Sequence, residues 1–372
     1  MSQTVKTVKA GDILPAREAM EMIDLVDLKS PIEIPAFPAG ADPTNMSSER
    51  RMYLQSEIRR MKKEKNALLL AHNYEMPDIQ DVADEVGDSL YLAQVGRDSK
   101  AHFLVEASVL FMNEILAIMK KSHQVVLAPH LGALCSLAAH ADARKIRAWK
   151  REHIGGKVIS YVNTYIDVKA ESDYCCASAN AAKVVQHVIK KYPNAPLLFL
   201  PDVYLGFYAA KMLEEMGESI DRLYLMMGAC HVHDGIRPFH IAQLLEENPG
   251  AAAVIHPECG CTSACMTQMR TGKIAANMME IRSTTGMGKF IRESPAKVII
   301  MATEVENMYP LSKRAGGKTI IPASREARCA FMKQNTLQNV YEALRDEKHV
   351  ITVDPELARR ARVPIERMLA IV

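Results

Sequence analysis

Near the middle of the chain, Leu225-Met-Met-Gly-Ala-Cys230-His-Val-His233-Asp234 runs an apolar strand into a Gly-Ala pair, a cysteine, two histidines and an acid. Two other stretches share the layout: Val125-Val-Leu-Ala-Pro-His-Leu-Gly-Ala-Leu-Cys135 and Thr319-Ile-Ile-Pro-Ala-Ser-Arg-Glu-Ala-Arg-Cys329. The three cysteines stand 95 and 99 residues apart. Strand-then-cysteine units at near-equal spacing point to a tripled domain with one thiol from each copy. Three thiolates meeting at a centre would hold a metal or an iron–sulfur cluster.

Outward from these stretches, short apolar runs alternate with helical patterns, as in parallel α/β units. The first copy offers strands at 67–71, 102–106 and 124–128. The second offers 157–161, 174–177, 196–200 and 222–226, and the third 252–255, 278–281, 297–301 and 318–321. Copy one is therefore a strand short. A helix over 54–65 leads into it, and Pro77 opens a helix that Gly87-Asp88-Ser89 breaks before another begins. Residues before about 50 read as an extension, because Ser30-Pro-Ile-Glu-Ile-Pro-Ala-Phe-Pro cannot be regular helix. One more helix starts near Leu337, and a charged segment follows it.

At 372 residues and 48% apolar content the chain has room for two or three ordinary cores. Its formal charge of +2, with acids and bases mixed, excludes a basic stripe for nucleic acid. The longest apolar runs are too short to span a bilayer, and Lys6, Lys9, Asp12 and Glu18 leave no apolar core for a secretory signal. We expect a cytoplasmic protein, where eight cysteines are reduced thiols or metal ligands rather than disulfides.

In open parallel sheets, ligands bind beyond the carboxyl ends of strands. The first strands end on His72-Asn-Tyr74, Tyr161-Val-Asn163 and His256-Pro-Glu258. The second strands lead to Glu106-Ala-Ser108, Ser178-Ala-Asn180 and Ser283-Thr284-Thr285. Singly, such residues form turns or helix caps; the same place filled in every copy points to one shared pocket. Ser89 reads equally as a helix cap beside Asp88 or as an anion donor at a helix N-terminus.

Cys175 and Cys176 fall inside a strand and read as small core residues. Cys259, Cys261 and Cys265 follow His256-Pro-Glu258 closely and make a rival metal site, though no second pair of ligands stands at zinc spacing.

Together the motifs resemble the quinolinate synthase family from about residue 55 to the C-terminus. They include Ala71-His-Asn-Tyr74, Pro77-Asp-Ile-Gln-Asp81, Gly87-Asp-Ser89, Phe111-Met-Asn-Glu114, Tyr161-Val-Asn-Thr164, Gly228-Ala-Cys-His-Val-His233, His256-Pro-Glu-Cys259 and Ser283-Thr-Thr285. The resemblance implies three similar three-layer α/β/α domains around a pseudo-threefold axis, with a central [4Fe–4S] cluster on Cys135, Cys230 and Cys329. We expect these domains at 55–145, 146–238 and 239–325, after an extension over 1–54 and before a segment, 326–372, that carries the third cysteine. The implied reaction joins iminoaspartate to dihydroxyacetone phosphate, releasing phosphate and two waters, to give quinolinate for NAD biosynthesis. By resemblance, Tyr74 and Glu258 move protons, and Tyr161 and Asn163 stand near the reacting intermediate. His72, Ser89, Ser178, His256, Ser283 and Thr284 would hold carboxylates or phosphate. The extra Cys259, Cys261 and Cys265 are open to an inert, redox-sensitive or metal-binding role, of which we expect the inert one. A transient contact with L-aspartate oxidase, which supplies the imine, is also implied.

The chain departs from the family pattern at Ala177-Ser178-Ala179-Asn180, which lacks hydroxyls beside Ser178, and at Arg282, where a glycine is expected. Two other readings stand beside the enzyme. One is an iron–sulfur sensor or carrier, which needs no polar pocket; the other is a zinc protein using the 259–265 cysteines.

Overall fold

The computed structural model describes residues 8–41, 45–272 and 278–371. The first residues of the expected extension, with Lys6, and part of the loop between Glu258 and Ser283 lie outside them. Thirteen strands form among the described residues. They are β1 (Ile13–Pro15), β2 (Ala67–His72), β3 (Glu85–Gly87), β4 (Phe103–Ala107), β5 (Val125–Leu127), β6 (Lys157–Tyr161) and β7 (Tyr174–Cys176). Then come β8 (Leu197–Leu200), β9 (Leu223–Met226), β10 (Ala252–Ile255), β11 (Met279–Ile281), β12 (Val298–Ala302) and β13 (Thr319–Pro322).

They build three sheets, ordered β3-β2-β4-β5, β1-β9-β8-β6-β7 and β11-β10-β12-β13. Apart from β1, every pairing is parallel and each sheet repeats one order: second strand, first, third, fourth. The strand missing from copy one is β3, an edge strand with a single apolar residue, Val86. The segment after Pro77 is accordingly a short helix, Pro77–Gln80, and then a strand rather than one continuous helix. Units one and two also share a pin. Asp84 accepts from the Leu69 amide at 2.8 Å, and Asp173 from the Val158 amide at 2.9 Å, both across 15 residues.

Side chains alternate between the faces of each sheet, and both faces are covered. In the first, Leu69, Ala71, Val105 and Leu127 pack on helices Ser48–Glu64 and Leu337–Asp346, while Leu70, Leu104 and Val126 face the opposite way. In the third, Ala253, Ile255 and Ile300 join Ile241 on one side, and Val254, Ile299 and Met301 join Met287 and Phe290 on the other. The fold is thus α/β with helices on both faces of parallel sheets.

Two segments are more ordered than the sequence suggests. Residues 13–15 add an antiparallel edge strand to β9, where Pro15, lacking an amide proton, is tolerated. The charged tail is a helix, Pro355–Leu369, capped by Asp354 and burying Ala361, Pro364, Ile365 and Met368. That stripe at helical spacing outweighs the hydrogen bond Pro364 forgoes. Among the described residues, no helix is long and apolar enough to cross a membrane.

Candidate active site

Each sheet reverses its winding direction between its first and third strands, so the crevice for a ligand opens at their carboxyl ends. Loops from all three sheets meet there on one cavity of about 730 Å³ including its mouth. Its walls carry His72, Tyr74 and Ser89 from the first unit, Tyr161, Asn163 and Ser178 from the second, and His256, Glu258 and Thr284 from the third. Cys135, Cys230 and Cys329 line the same cavity. Ser283 alone of the expected residues is not on the wall; its hydroxyl accepts from the Gly286 amide at 3.4 Å and caps helix Thr284–Glu293.

The three cysteines sit in matching local structures. Each follows the fourth strand of its unit and opens a turn in which its carbonyl accepts an amide four residues on. Those amides belong to Ala139, Asp234 and Lys333, at 3.1, 2.8 and 3.1 Å. The sulfurs therefore lie where free amides collect: Cys135 Sγ accepts from the Ala138 amide at 3.4 Å. Burial pushes the Cys135 thiol up to about 12 and the Cys329 thiol to about 11, and raises Cys230 strongly, where Glu258 and then the other two sulfurs add to the rise. No thiol here ionises unaided; a cationic centre would be needed to hold all three as thiolates. The donor set therefore fits a group bound by three thiolates, and no fourth cysteine reaches the cavity among the described residues.

Around the sulfurs the polar groups are buried. Tyr161 donates to Glu258 Oε1 at 2.5 Å, and the Tyr74 hydroxyl lies 3.1 Å from Thr303 Oγ1 and 3.4 Å from His233 Nε2. Desolvation lowers His72 and His233 to about 3 and His256 well below the usual imidazole range, so all three imidazoles are neutral. The approaches of His233 and His256 to Glu258, at 3.8 and 3.5 Å, are thus not ion pairs. His72 Nδ1 accepts from the Tyr74 amide at 3.1 Å, which leaves the ring proton on Nε2. Burial raises Glu258 to about 7, against the opposing pull of the Tyr161 hydroxyl. Asn163 Oδ1, His233 Nδ1 and His256 Nδ1 are buried without a partner. Buried polar atoms are usually paired, so three orphans on one cavity mark places for a polar ligand.

Helix N-termini complete the wall. Asp88 is the cap of helix Ser89–Asp98, accepting from the Tyr91 amide at 2.9 Å, which leaves Ser89 free to face the cavity. Ser178 and Thr284 stand likewise at the starts of helices Ala181–Lys191 and Thr284–Glu293, and such termini suit anions.

Several residues here carry no signal in the sequence. Thr303 meets Tyr74, and Glu304 lines the cavity while accepting from the Cys329 amide at 3.1 Å and pairing with fully buried Lys333 at 2.5 Å. In the chain Glu304 and Lys333 resemble ordinary solvated charges. His233, whose place the motifs leave open, is on the wall. Cys175 and Cys176 are strand residues in the core. Cys259, Cys261 and Cys265 are buried in the third unit's core, and their donor atoms do not converge on one point. Among the described residues only Cys230, His233 and Glu258 do so, within 4.8 Å. The three thiols of 259–265 touch in a row through Cys261 without forming a compact ligand group.

Known proteins resemble this chain over most of its length. The family model for Quinolinate synthetase A protein (NadA) matches residues 56–370. A quinolinate synthase of Pyrobaculum aerophilum is 41% identical over 315 residues, covering 85% of this chain and 98% of its own. One of Thermus thermophilus is 40% identical over 326 residues, covering 88% and 100%. One of Mycolicibacterium paratuberculosis is 36% identical over 316 residues, covering 85% and 88%. With the family model and these relatives spanning nearly the whole chain, the chain belongs to the quinolinate synthase family.

Proposed function

We propose that the chain condenses iminoaspartate with dihydroxyacetone phosphate, releasing phosphate and two waters to yield quinolinate. The observation that carries this reading is the meeting of three thiols and a buried set of proton donors and acceptors on one cavity. A sensor or carrier would have no use for the Tyr74, Tyr161 and Glu258 groups.

Cys135, Cys230 and Cys329 are the proposed ligands of a [4Fe–4S] cluster, at the centre of three units related by a pseudo-threefold axis with the boundaries expected above. When bound, such a cluster supplies one iron without a cysteine, a Lewis acid for a substrate hydroxyl or carboxylate.

The chain's own groups do the rest. Glu258, at about 7, can both take and return a proton near neutrality beside a substrate carbonyl. Tyr161 holds that carboxyl in place, and Tyr74, kept protonated by burial, is a proton donor. His72 offers its Nε2 proton to a substrate oxygen, and His256 and Asn163 offer unpaired polar atoms. Ser89, Ser178 and Thr284, at three helix N-termini, are the proposed seats of the carboxylates and the phosphate. Ser283 would act only by capping its helix.

Because an imine hydrolyses in water, transient delivery from an L-aspartate oxidase belongs to the same proposal. So does a cytoplasmic site, where eight free thiols suit a reducing compartment. The test is iron, acid-labile sulfide and quinolinate formation per chain, on protein purified without oxygen. Cluster-bearing protein that forms quinolinate from the two substrates supports the reading; cluster-bearing protein that forms none moves it to a sensor or carrier.

A further inference from the structure

In every unit the first strand is followed by a loop and a helix, and a buried polar side chain of that helix reaches back to the loop. Gln80 Nε2 donates to the Asn73 carbonyl at 3.2 Å and to the Glu75 carbonyl at 2.7 Å. Lys169 Nζ donates to the Val162 carbonyl at 2.8 Å and to the Thr164 carbonyl. The offsets are the same: each donor holds the carbonyls seven and five residues before it. The residue between the two held carbonyls is Tyr74 in one loop and Asn163 in the other. In the third loop, Thr262 Oγ1 lies 3.2 Å from both the His256 and the Pro257 carbonyls, directly ahead of Glu258.

These donors are 6%, 0% and 0% exposed, and none of them lines the cavity. A lysine is rarely buried completely, because its ammonium loses its hydration on leaving water. Here its third bond, to Thr164 Oγ1 at 3.2 Å, goes to the same loop. Three unlike side chains doing one job in three repeats, out of reach of substrate, need a common explanation in the loops they hold.

We propose that Gln80, Lys169 and Thr262 are positioning residues that clamp these loops so that Tyr74, Asn163 and Glu258 stand at set points on the cavity wall. The inference rests on the roles proposed above for those three residues. Two anchored carbonyls leave the residue between them little freedom, and small displacements of a reacting group are costly in rate.

The test uses cluster-bearing protein purified without oxygen. Thr262→Val matches the threonine in shape but lacks the proton, and Thr262→Ser keeps it. Thr262→Val, Gln80→Met and Lys169→Met should keep wild-type iron content and KM while kcat falls about ten- to a hundredfold. Thr262→Ser should stay close to wild type. Placed in an Asn163→Ala background, Lys169→Met should add little, because its effect runs through Asn163. Wild-type kcat in Thr262→Val and Gln80→Met would overturn the proposal. So would an equal Lys169→Met effect with and without Asn163. If Lys169→Met does not fold, the Thr262 pair and Gln80→Met decide. Full turnover in Asn163→Ala would instead remove the role proposed for Asn163, and the Thr262 pair, read against Glu258→Gln, would then decide.

Discussion

The Tyr161 hydroxyl donates to Glu258 Oε1 at 2.5 Å, which joins the end of β6 in one sheet to the loop after β10 in another. Both groups are buried, so the bond ties two units together at the place where their polar residues face the cavity. Opposite them, Tyr74 from the first unit reaches Thr303 and His233 of the other two.

Removing the Tyr74 hydroxyl tests its part as proton donor. Tyr74→Phe keeps the ring in its cavity wall and loses two polar neighbours that lie away from the sulfurs' amide contacts. Iron and sulfide content should match the wild type, while quinolinate formation falls about 10²- to 10⁴-fold, the usual span for a general acid or base. Unchanged turnover would take Tyr74 out of the chemistry.

The ligand assignment is checked by colour. Cys135→Ala, Cys230→Ala and Cys329→Ala should each lose the brown absorbance and most of the iron. Protein with Cys259, Cys261 and Cys265 all changed to Ala should keep both, since those thiols are packed in the core of the third unit. A colourless triple variant would move the metal site to that loop.

Lys333 and Glu304 form an ion pair with side chains 1% and 0% exposed, and Lys333 also donates to the Tyr74 carbonyl. Breaking the pair strands a buried charge. Lys333→Met should lower stability by about 3–5 kcal/mol, read from the urea midpoint without oxygen. Adding Glu304→Gln should recover part of that loss. A single variant as stable as wild type would show that the pair is not what holds these segments.

Glu106 gives a dependence on pH. It is buried on β4, its Oε2 has no partner, and desolvation raises its carboxyl from 4.5 to about 8. The folded chain thus keeps a proton that the unfolded chain releases. That contribution to stability is complete below about pH 4.5 and is lost as pH rises through about 8, on the order of 5 kcal/mol. Glu106→Gln should flatten the fall in urea midpoint between pH 5 and 8. An unchanged slope would mean that another group is responsible.

The repeat was legible because each unit restates it: an apolar run, then a polar cluster, then a helix. β3 escaped, having one apolar residue at a sheet edge, and β1 escaped because three residues ending in Pro15 carry no period. The tail helix was hidden by Pro364, whose local cost is outweighed by a buried stripe that only a folded neighbour can reward.

By itself, the sequence determined the α/β class and the threefold rhythm of strands, and it pointed to the cysteines and strand-end residues proposed for the site. These are local matters, set by period, turn chemistry and spacing. Only the tertiary structure decided that those residues share one cavity, that Ser283 stays behind as a cap, and that the 259–265 thiols belong to the core. It also set the charge states, with neutral histidines and a carboxyl near 7, and buried Lys169, Lys333 and Glu304, which carry no signal in the sequence. Burial and proximity are sums over segments far apart in the chain, so no window of sequence contains them.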